Sequence, residues 1–465
     1  MHHLATLMNA RNIAVFGASK SPEKPGSMLL QILRMTGFSG KFAGINPQGG
    51  DIQGIPLYPS IREVPFETDL AVMIIPPAAV VGAIRECAEA GVKGVVISSE
   101  GFSESGPDGA RHQEAIADIV KKTGIRVVGP NTLGILNTAT GLTTSYYADA
   151  GALRQGCIGF AAQSGIFVGA FMRYLSSFDH LGISKGLGLG NKLDINESDA
   201  LDFLADDVQT RVVGLYLEDI QDGRRFFAAA EKAVAKKPVL LIKGGRTSPG
   251  SRATASHTAS MAVDDKILDG ALAQSGVIRL SGIEEMLAAL MGFTWAPLPR
   301  GNSIAIVTYS GAQSIMCIDL AADLGLRMAE FGPAARNGLS RVISRAYKAQ
   351  NPVDIFPDMM SHGFEETMLA ILDALLKDNG VNGIFFISFA IEGSEIYRPV
   401  VDMIHDRADK PVFFSLLGPR DEVQSTGDFL LRQKVPYFLY PEMGIRTFAH
   451  MWQYARQRNK RHHAP

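Results

Sequence analysis

No apolar run in this chain is long enough to span a bilayer. Its opening residues, Met-His-His-Leu-Ala-Thr-Leu-Met-Asn-Ala-Arg, lack the apolar centre of a secretion signal. Cysteine is scarce: Cys87, Cys157 and Cys317 stand inside apolar segments with no CxxC spacing. They read as reduced, buried thiols, and the chain is expected to be cytoplasmic, with no membrane partner and no metal site. Neither charge dominates, with 45 Lys and Arg against 47 Asp and Glu. A balance of this kind argues against a nucleic-acid surface. What remains is an ordinary globular composition long enough for about three domains.

Three times a β-rich run breaks at small residues and a helix follows. The runs are Asn12-Ile-Ala-Val-Phe-Gly-Ala-Ser19, Cys157-Ile-Gly-Phe-Ala-Ala-Gln-Ser-Gly165 and Ser303-Ile-Ala-Ile-Val-Thr-Tyr-Ser-Gly311. Strand and helix signals alternate between them, which predicts α/β architecture: doubly wound parallel sheets with ligands at the strand carboxyl ends. The second and third runs are followed by matching segments, Gly190-Asn-Lys-Leu-Asp194 and Asn351-Pro-Val-Asp354. We read them as two copies of one flavodoxin-like unit behind a Rossmann-like domain. Breaks near Gly141–Leu153 and at Ala296-Pro-Leu-Pro-Arg-Gly301 divide the chain into 1–145, 146–297 and 298–465.

In the first domain the turn Gly17-Ala18-Ser19 opens onto Lys20 and a helix start, a favourable place for a phosphate. The GxGxxG fingerprint is absent, and no acid follows the second strand to take a ribose hydroxyl. That strand runs from Lys41 to Asn46-Pro47 instead. CoA therefore fits better than NAD, with Ser19, Lys20 and Lys41 expected at its phosphates. Ile75-Pro76-Pro77 and Gly129-Pro-Asn131 should lie along the same crevice, Asn131 where a pantetheine arm would finish.

In the second domain the strand Pro238–Lys243 empties into Gly-Gly-Arg-Thr-Ser-Pro-Gly-Ser-Arg-Ala-Thr-Ala-Ser and then His257. We expect a cationic, mobile loop rich in backbone N–H groups, and an imidazole there suits a nucleophile that accepts and passes on a phosphoryl group. The copy in the third domain, Leu416-Leu-Gly-Pro-Arg-Asp-Glu, has no matching histidine.

Taken in order, Val15-Phe-Gly-Ala-Ser19, Asn46-Pro47, Ile75-Pro-Pro77, Gly129-Pro-Asn131, Gln163-Ser-Gly165, Gly190-Asn191 with Asp194, Tyr216-Leu-Glu218, Lys243-Gly-Gly-Arg246 and Ser256-His-Thr258 resemble the α subunit of the NDP-forming acyl-CoA synthetases, relatives of succinyl-CoA synthetase. The likeness runs over the whole chain and is nearest the ADP-forming acetate:CoA ligase type. It implies that acyl-CoA and phosphate give an acyl phosphate, that His257 takes the phosphoryl group, and that ADP receives it. It also implies Glu218 as the carboxylate that orients His257 and stabilises its cationic form, and Gln163, Ser164 and Gly165 as the helix start that holds the phosphoryl group.

The chain departs from the family after His257. Ala259, Met261 and Val263 stand where small residues and glycine are usual, which would retune a swinging loop. No ATP-grasp region is recognisable. A β-type partner with the nucleotide and Mg site is therefore expected, in an α2β2 hetero-oligomer. The acid is expected to be a monocarboxylate, with Tyr146, Tyr147, Phe167, Phe171 and Met172 as possible pocket residues. Two other functions compete: a CoA-binding regulator or carrier without turnover, and a nicotinamide-dependent oxidoreductase.

Overall fold

The computed structural model describes residues 3–147, 154–165, 174–175, 181–258, 264–344, 349–356, 358–390 and 393–462; at 3, 255–258 and 462 only the backbone is described. They form two compact units, residues 1–280 and 281–465, and three sheets.

The first sheet has six parallel strands. In chain order they are Asn12–Phe16, Lys41–Ile45, Ile55–Tyr58, Leu70–Met73, Gly94–Ile97 and Arg126–Val128. In space they run third, second, first, fourth, fifth, sixth, with the short Gly50–Ile52 antiparallel on the edge. This is the Rossmann winding, and its order reverses between the first and fourth strands. Strand residues such as Val15, Val72 and Val95 are fully buried because helices cover both faces.

The second sheet contains five parallel strands, Gln155–Ala162, Ile183–Gly188, Val212–Leu217, Val239–Lys243 and Ile278–Leu280. They lie second, first, third, fourth, fifth, which is the flavodoxin winding. The hairpin Ile135–Asn137 and Leu142–Thr143 extends this sheet antiparallel to Ile183–Gly188. The second sheet thus takes in residues ahead of position 145.

In the unit 281–465, strands Ser303–Thr308, Arg327–Met328, Gly383–Phe389 and Val412–Leu417 repeat the order second, first, third, fourth, and a parallel bridge from Phe414 to Tyr437 stands in fifth place. Asn351 fills a gap on the flank of the first strand. Its side chain accepts from the Ile306 N–H (3.0 Å) and donates to the carbonyls of Ile304 (2.7 Å) and Ala329 (3.1 Å). The expected duplication therefore appears as one winding used twice.

This unit also carries a buried polar clamp. His450 Nε2 lies 2.8 Å from Glu285 Oε1, and Glu285 Oε2 accepts from the Ser281 N–H (2.7 Å) and hydroxyl (2.5 Å). Burial alone would raise this carboxyl, but the bonds from His450 and Ser281 outweigh it and hold it at about 2. A depressed carboxylate stabilises the fold above its ordinary range, and that contribution disappears as pH falls towards 2. Glu285→Gln should lower the stability of this unit at pH 7 by ~1–2 kcal/mol. It should also flatten the melting-temperature profile between about pH 4.5 and 2, as measured by thermal melts across that range.

Among the described residues no helix is long and apolar enough to cross a membrane.

Candidate functional site

Two groups of residues gather at strand carboxyl ends within residues 1–280. The first lies where the Rossmann order reverses. Gly17 takes φ +90°, and a Cβ there would lie 2.1 Å from the Ile74 carbonyl oxygen, so only glycine permits the turn. Gly26 presses on the same turn, with a Cβ position 2.6 Å from the Gly17 carbonyl. This brings the start of the helix Pro25–Met35 onto Gly17-Ala18-Ser19, and the residue at its N-cap makes no side-chain cap. An uncapped first turn beside exposed Lys20 is a place for an anion. Ser19 is partly committed: its N–H donates to the Ser27 hydroxyl (2.9 Å), which returns a bond to the Ser19 carbonyl (2.8 Å).

Asn46 latches the second strand to this turn. Its Nδ2 donates to the Ala18 carbonyl at 2.8 Å, and its Oδ1 accepts from the Gln48 N–H at 2.9 Å, turning the chain at Pro47. Ile75 is bound to the Ser99 hydroxyl through both its N–H (3.1 Å) and its carbonyl (2.5 Å). Pro76 caps, and Pro77 opens, the helix Pro77–Glu89. Asn131, at φ +58°, donates its N–H to the Ser99 carbonyl at 3.0 Å. Gly17, Ala18, Ser19, Lys20, Asn46, Pro47, Ile75, Pro76, Pro77 and Asn131 thus share one edge.

Lys41 does not join them. It pairs with Asn12 at the amino end of its strand, roughly 13 Å of extended chain from the carboxyl turn. The phosphate contact expected of it is corrected on that ground. If this crevice takes CoA, as the sequence predicts, removing the Asn46 latch by Asn46→Ala should lower that affinity roughly tenfold, about the worth of one partly buried hydrogen bond. Titration calorimetry of CoA against the two proteins checks this.

The second group sits at the carboxyl edge of the second sheet. Gln163 directly follows the first strand and is 5% exposed. Its Oε1 accepts from the backbone N–H groups of Glu218 (2.9 Å) and Asp219 (3.1 Å), and its Nε2 donates to Asp219 Oδ1. The Gln163 side chain therefore mounts the turn after the third strand, rather than offering its amide oxygen outward as a phosphoryl contact. Glu218, 9% exposed, is held at its carbonyl by Lys243 Nζ (2.6 Å) and at its carboxylate by the Tyr216 hydroxyl (3.2 Å). Burial, then the Glu218 charge, pushes the Tyr216 hydroxyl up to about 12, so at neutral pH it stays a donor. Burial, then the Arg279 charge, moves the Lys243 ammonium below its usual range. Ser164 and Gly165 follow Gln163, half-buried, with Gly165 opening a helical turn.

Leu217 pairs with Lys243, so the Glu218 turn and Gly244-Gly245 are neighbours. The Gly-Ser-Thr-Arg segment is not the loop we expected: Ser248–Thr258 is a helix, started by the Thr247 hydroxyl, which accepts from the Gly250 N–H at 3.2 Å. A Cβ on Gly245 would lie 2.6 Å from Thr254 Oγ1, so the helix passes over the Gly245 turn. The backbone of His257 is one further turn along, roughly 4.5 Å beyond Thr254 on the helix axis. The His257 side chain lies outside what is described, and so do Ala259, Met261 and Val263.

Of the acyl-pocket candidates, Tyr146 and Tyr147 have ring centroids 4.7 Å apart. Phe167, Phe171 and Met172 fall outside the described residues.

The sequence did not single out Lys192 and Glu197, although both support this edge. Lys192 stands inside the segment Gly190–Asp194, and a buried lysine has no compositional signature. Asp194, in the same segment, binds Arg126 through Nε (2.8 Å) and Nη2 (3.0 Å), and the Val127 N–H (2.8 Å), fastening the two sheets of this unit together.

The chain matches the family described as CoA binding domain over residues 11–138 and the one described as Succinyl-CoA ligase like flavodoxin domain over residues 155–293. It is 35% identical to Acetate–CoA ligase [ADP-forming] II of Archaeoglobus fulgidus across 98% of its own length and 67% of that protein's. It is 30% identical to Acetate–CoA ligase [ADP-forming] I subunit alpha of Pyrococcus furiosus, across 98% of this chain and 99% of that one. A solved structure of a dinucleotide-forming acetyl-coenzyme A synthetase 1 from Ca. Korarchaeum cryptofilum, in complex with phosphate and ADP, superposes with TM-score 0.93 at 31% identity, covering all of both chains. On these likenesses the chain belongs to the ADP-forming acid–CoA ligases, the family that its motifs resemble.

Proposed function

We propose that this chain handles CoA, the acyl group and the phosphohistidine of a reversible acid–thiol ligase. Carboxylic acid, ATP and CoA stand on one side of the reaction; acyl-CoA, ADP and phosphate stand on the other. Phosphate oxygen attacks the thioester carbonyl and the carbon–sulfur bond breaks. CoA leaves as the thiolate, which takes a proton, and an acyl phosphate remains. A neutral imidazole nitrogen of His257 then attacks phosphorus, and the carboxylate departs with the bridging oxygen. Glu218 stabilises the imidazolium character that develops, and the phosphohistidine is later drained to ADP.

The observation that carries this is the placement of the Glu218 turn beside Gly244-Gly245, with the helix bearing residue 257 crossing that turn. A carboxylate mounted on both sides of its backbone is the kind of rigid partner a phosphorylated imidazole needs. The end-to-end likeness to an α subunit supports the same reading.

The division into domains 1–145, 146–297 and 298–465 belongs to this proposal, as does a second, ATP-grasp chain bearing the nucleotide and Mg in an α2β2 assembly. A monocarboxylate fits the acyl site. The purified chain alone should bind CoA yet show no CoA- and acid-dependent ATP consumption, and adding the second chain should restore it. Sustained turnover by this chain alone would overturn the partner assignment.

A further inference from the structure

Below the carboxyl edge of the second sheet lies a buried ion cluster whose role neither the fold nor the reaction outlined above uses. Lys192, 2% exposed, takes the left-handed conformation at φ +56°, which a non-glycine residue adopts at some cost. Its Nζ lies 2.7 Å from Asp219 Oδ1, 3.1 Å from the Asp219 carbonyl oxygen and 2.9 Å from Glu197 Oε2. Glu197 is fully buried, and its Oε1 accepts from the Gln221 N–H at 2.8 Å. The Lys192 carbonyl in turn accepts from Gln221 Nε2 at 3.0 Å. Two donor directions of this ammonium are therefore spent on the Asp219 turn, and the Glu197 carboxylate lies against it as an ion pair.

A lone buried ion pair is weak evidence of stabilisation, since desolvation offsets much of the attraction. What sets this one apart is where it leads. Asp219 Oδ1 accepts from both Lys192 Nζ and Gln163 Nε2, and the other end of the Gln163 amide accepts from the N–H groups of Glu218 and Asp219. The chain of bonds runs Lys192, Asp219, Gln163, Glu218 backbone.

We propose that Lys192 is a positioning residue for phosphoryl transfer: through Asp219 and Gln163 it fixes the backbone that carries the Glu218 carboxylate. The assignment rests on the phosphohistidine reading above. Lys192 touches neither phosphate nor imidazole in it. It sets where Glu218 stands, and a misplacement of about 1 Å at such a carboxylate costs on the order of 100-fold in rate.

Lys192→Met strands the buried Glu197 and the partly buried Asp219 carboxylates and can unfold the chain, so Lys192→Met combined with Glu197→Gln, which removes one charge of each sign, is the decisive variant. Lys192→Arg is the rescue. In the complex with the nucleotide-bearing chain, single-turnover labelling of position 257 from acyl-CoA and labelled phosphate should slow roughly 100-fold in the double variant, while KM for CoA stays within about twofold. Lys192→Arg should recover to within about tenfold of the native rate, since its fork can still reach Asp219.

Hydrogen exchange on the same samples should show the Glu218 and Asp219 amides opening at least ~10-fold more often, with the amides of Val212–Leu217 still protected. A folded double variant that labels within about threefold of native, or whose two amides exchange unchanged, overturns the proposal. If the native complex fails to label His257 at all, the phosphohistidine reading falls, and the exchange result still judges Lys192.

Discussion

Replacing His257 with alanine or asparagine, in the chain joined to the proposed nucleotide-bearing partner, should abolish conversion of acid to thioester, a loss of at least ~1,000-fold. Size is not the reason, since asparagine keeps much of the shape and a hydrogen-bonding tip. Only an imidazole offers a neutral nitrogen nucleophile near pH 7 that can take a phosphoryl group and give it back. The helix Ser248–Thr258 crosses the Gly245 turn with position 257 one turn further on. The half-reaction should separate the roles: both variants should still bind CoA at the native affinity, because the CoA crevice belongs to a different sheet. Steady-state assay together with CoA titration reads both outcomes.

Glu218→Gln is the second substitution with a large expected effect. The change preserves volume and the backbone mount, so the N–H still reaches Gln163 and the carbonyl still receives Lys243. It removes the negative charge that, in the role proposed for Glu218, faces the developing imidazolium. A preorganised charge of this kind in a mostly water-excluded site is worth on the order of 100- to 1,000-fold. The loss should appear in the rate of labelling at position 257, with KM for CoA little changed. Gln163→Leu should behave differently. It leaves the N–H groups of Glu218 and Asp219 without their acceptor, at about 1–3 kcal/mol each, so melting temperature and labelling rate should fall together. Comparing the two variants by thermal melt and single-turnover labelling separates the carboxylate's charge from its support.

The strands and their small-residue turns were legible in the sequence because burial on both faces demands continuous apolar runs, as in Val239–Lys243, and because a turn such as Gly17 admits nothing larger. Glu218 and Gln163 were legible as strand-end residues, and the structure places both at one sheet edge. Their connection was not: Gln163 spends its amide on the backbone of Glu218, a contact between strands 55 residues apart that no local pattern announces.

Lys41 misled for a related reason. It stands five residues before Asn46, yet an extended strand puts those residues at opposite ends of the sheet. The segment Ser248–Thr258 misled through composition, since Ser, Thr and Gly are poor helix formers. Its helix is packed over Gly245, and tertiary contact overrode propensity. Lys192 was hidden because lysine in a polar turn ordinarily faces water. Only the three-dimensional arrangement puts its ammonium between the buried Glu197 and the partly buried Asp219 carboxylates.

The most direct test is to incubate the native complex with acyl-CoA and labelled phosphate, stop it in base, and locate the label by peptide mass spectrometry. The expected result is one acid-labile, base-stable phosphoryl group on the peptide containing His257, discharged on addition of ADP. A complex that turns over while the label sits on another residue, or on none, would contradict the account.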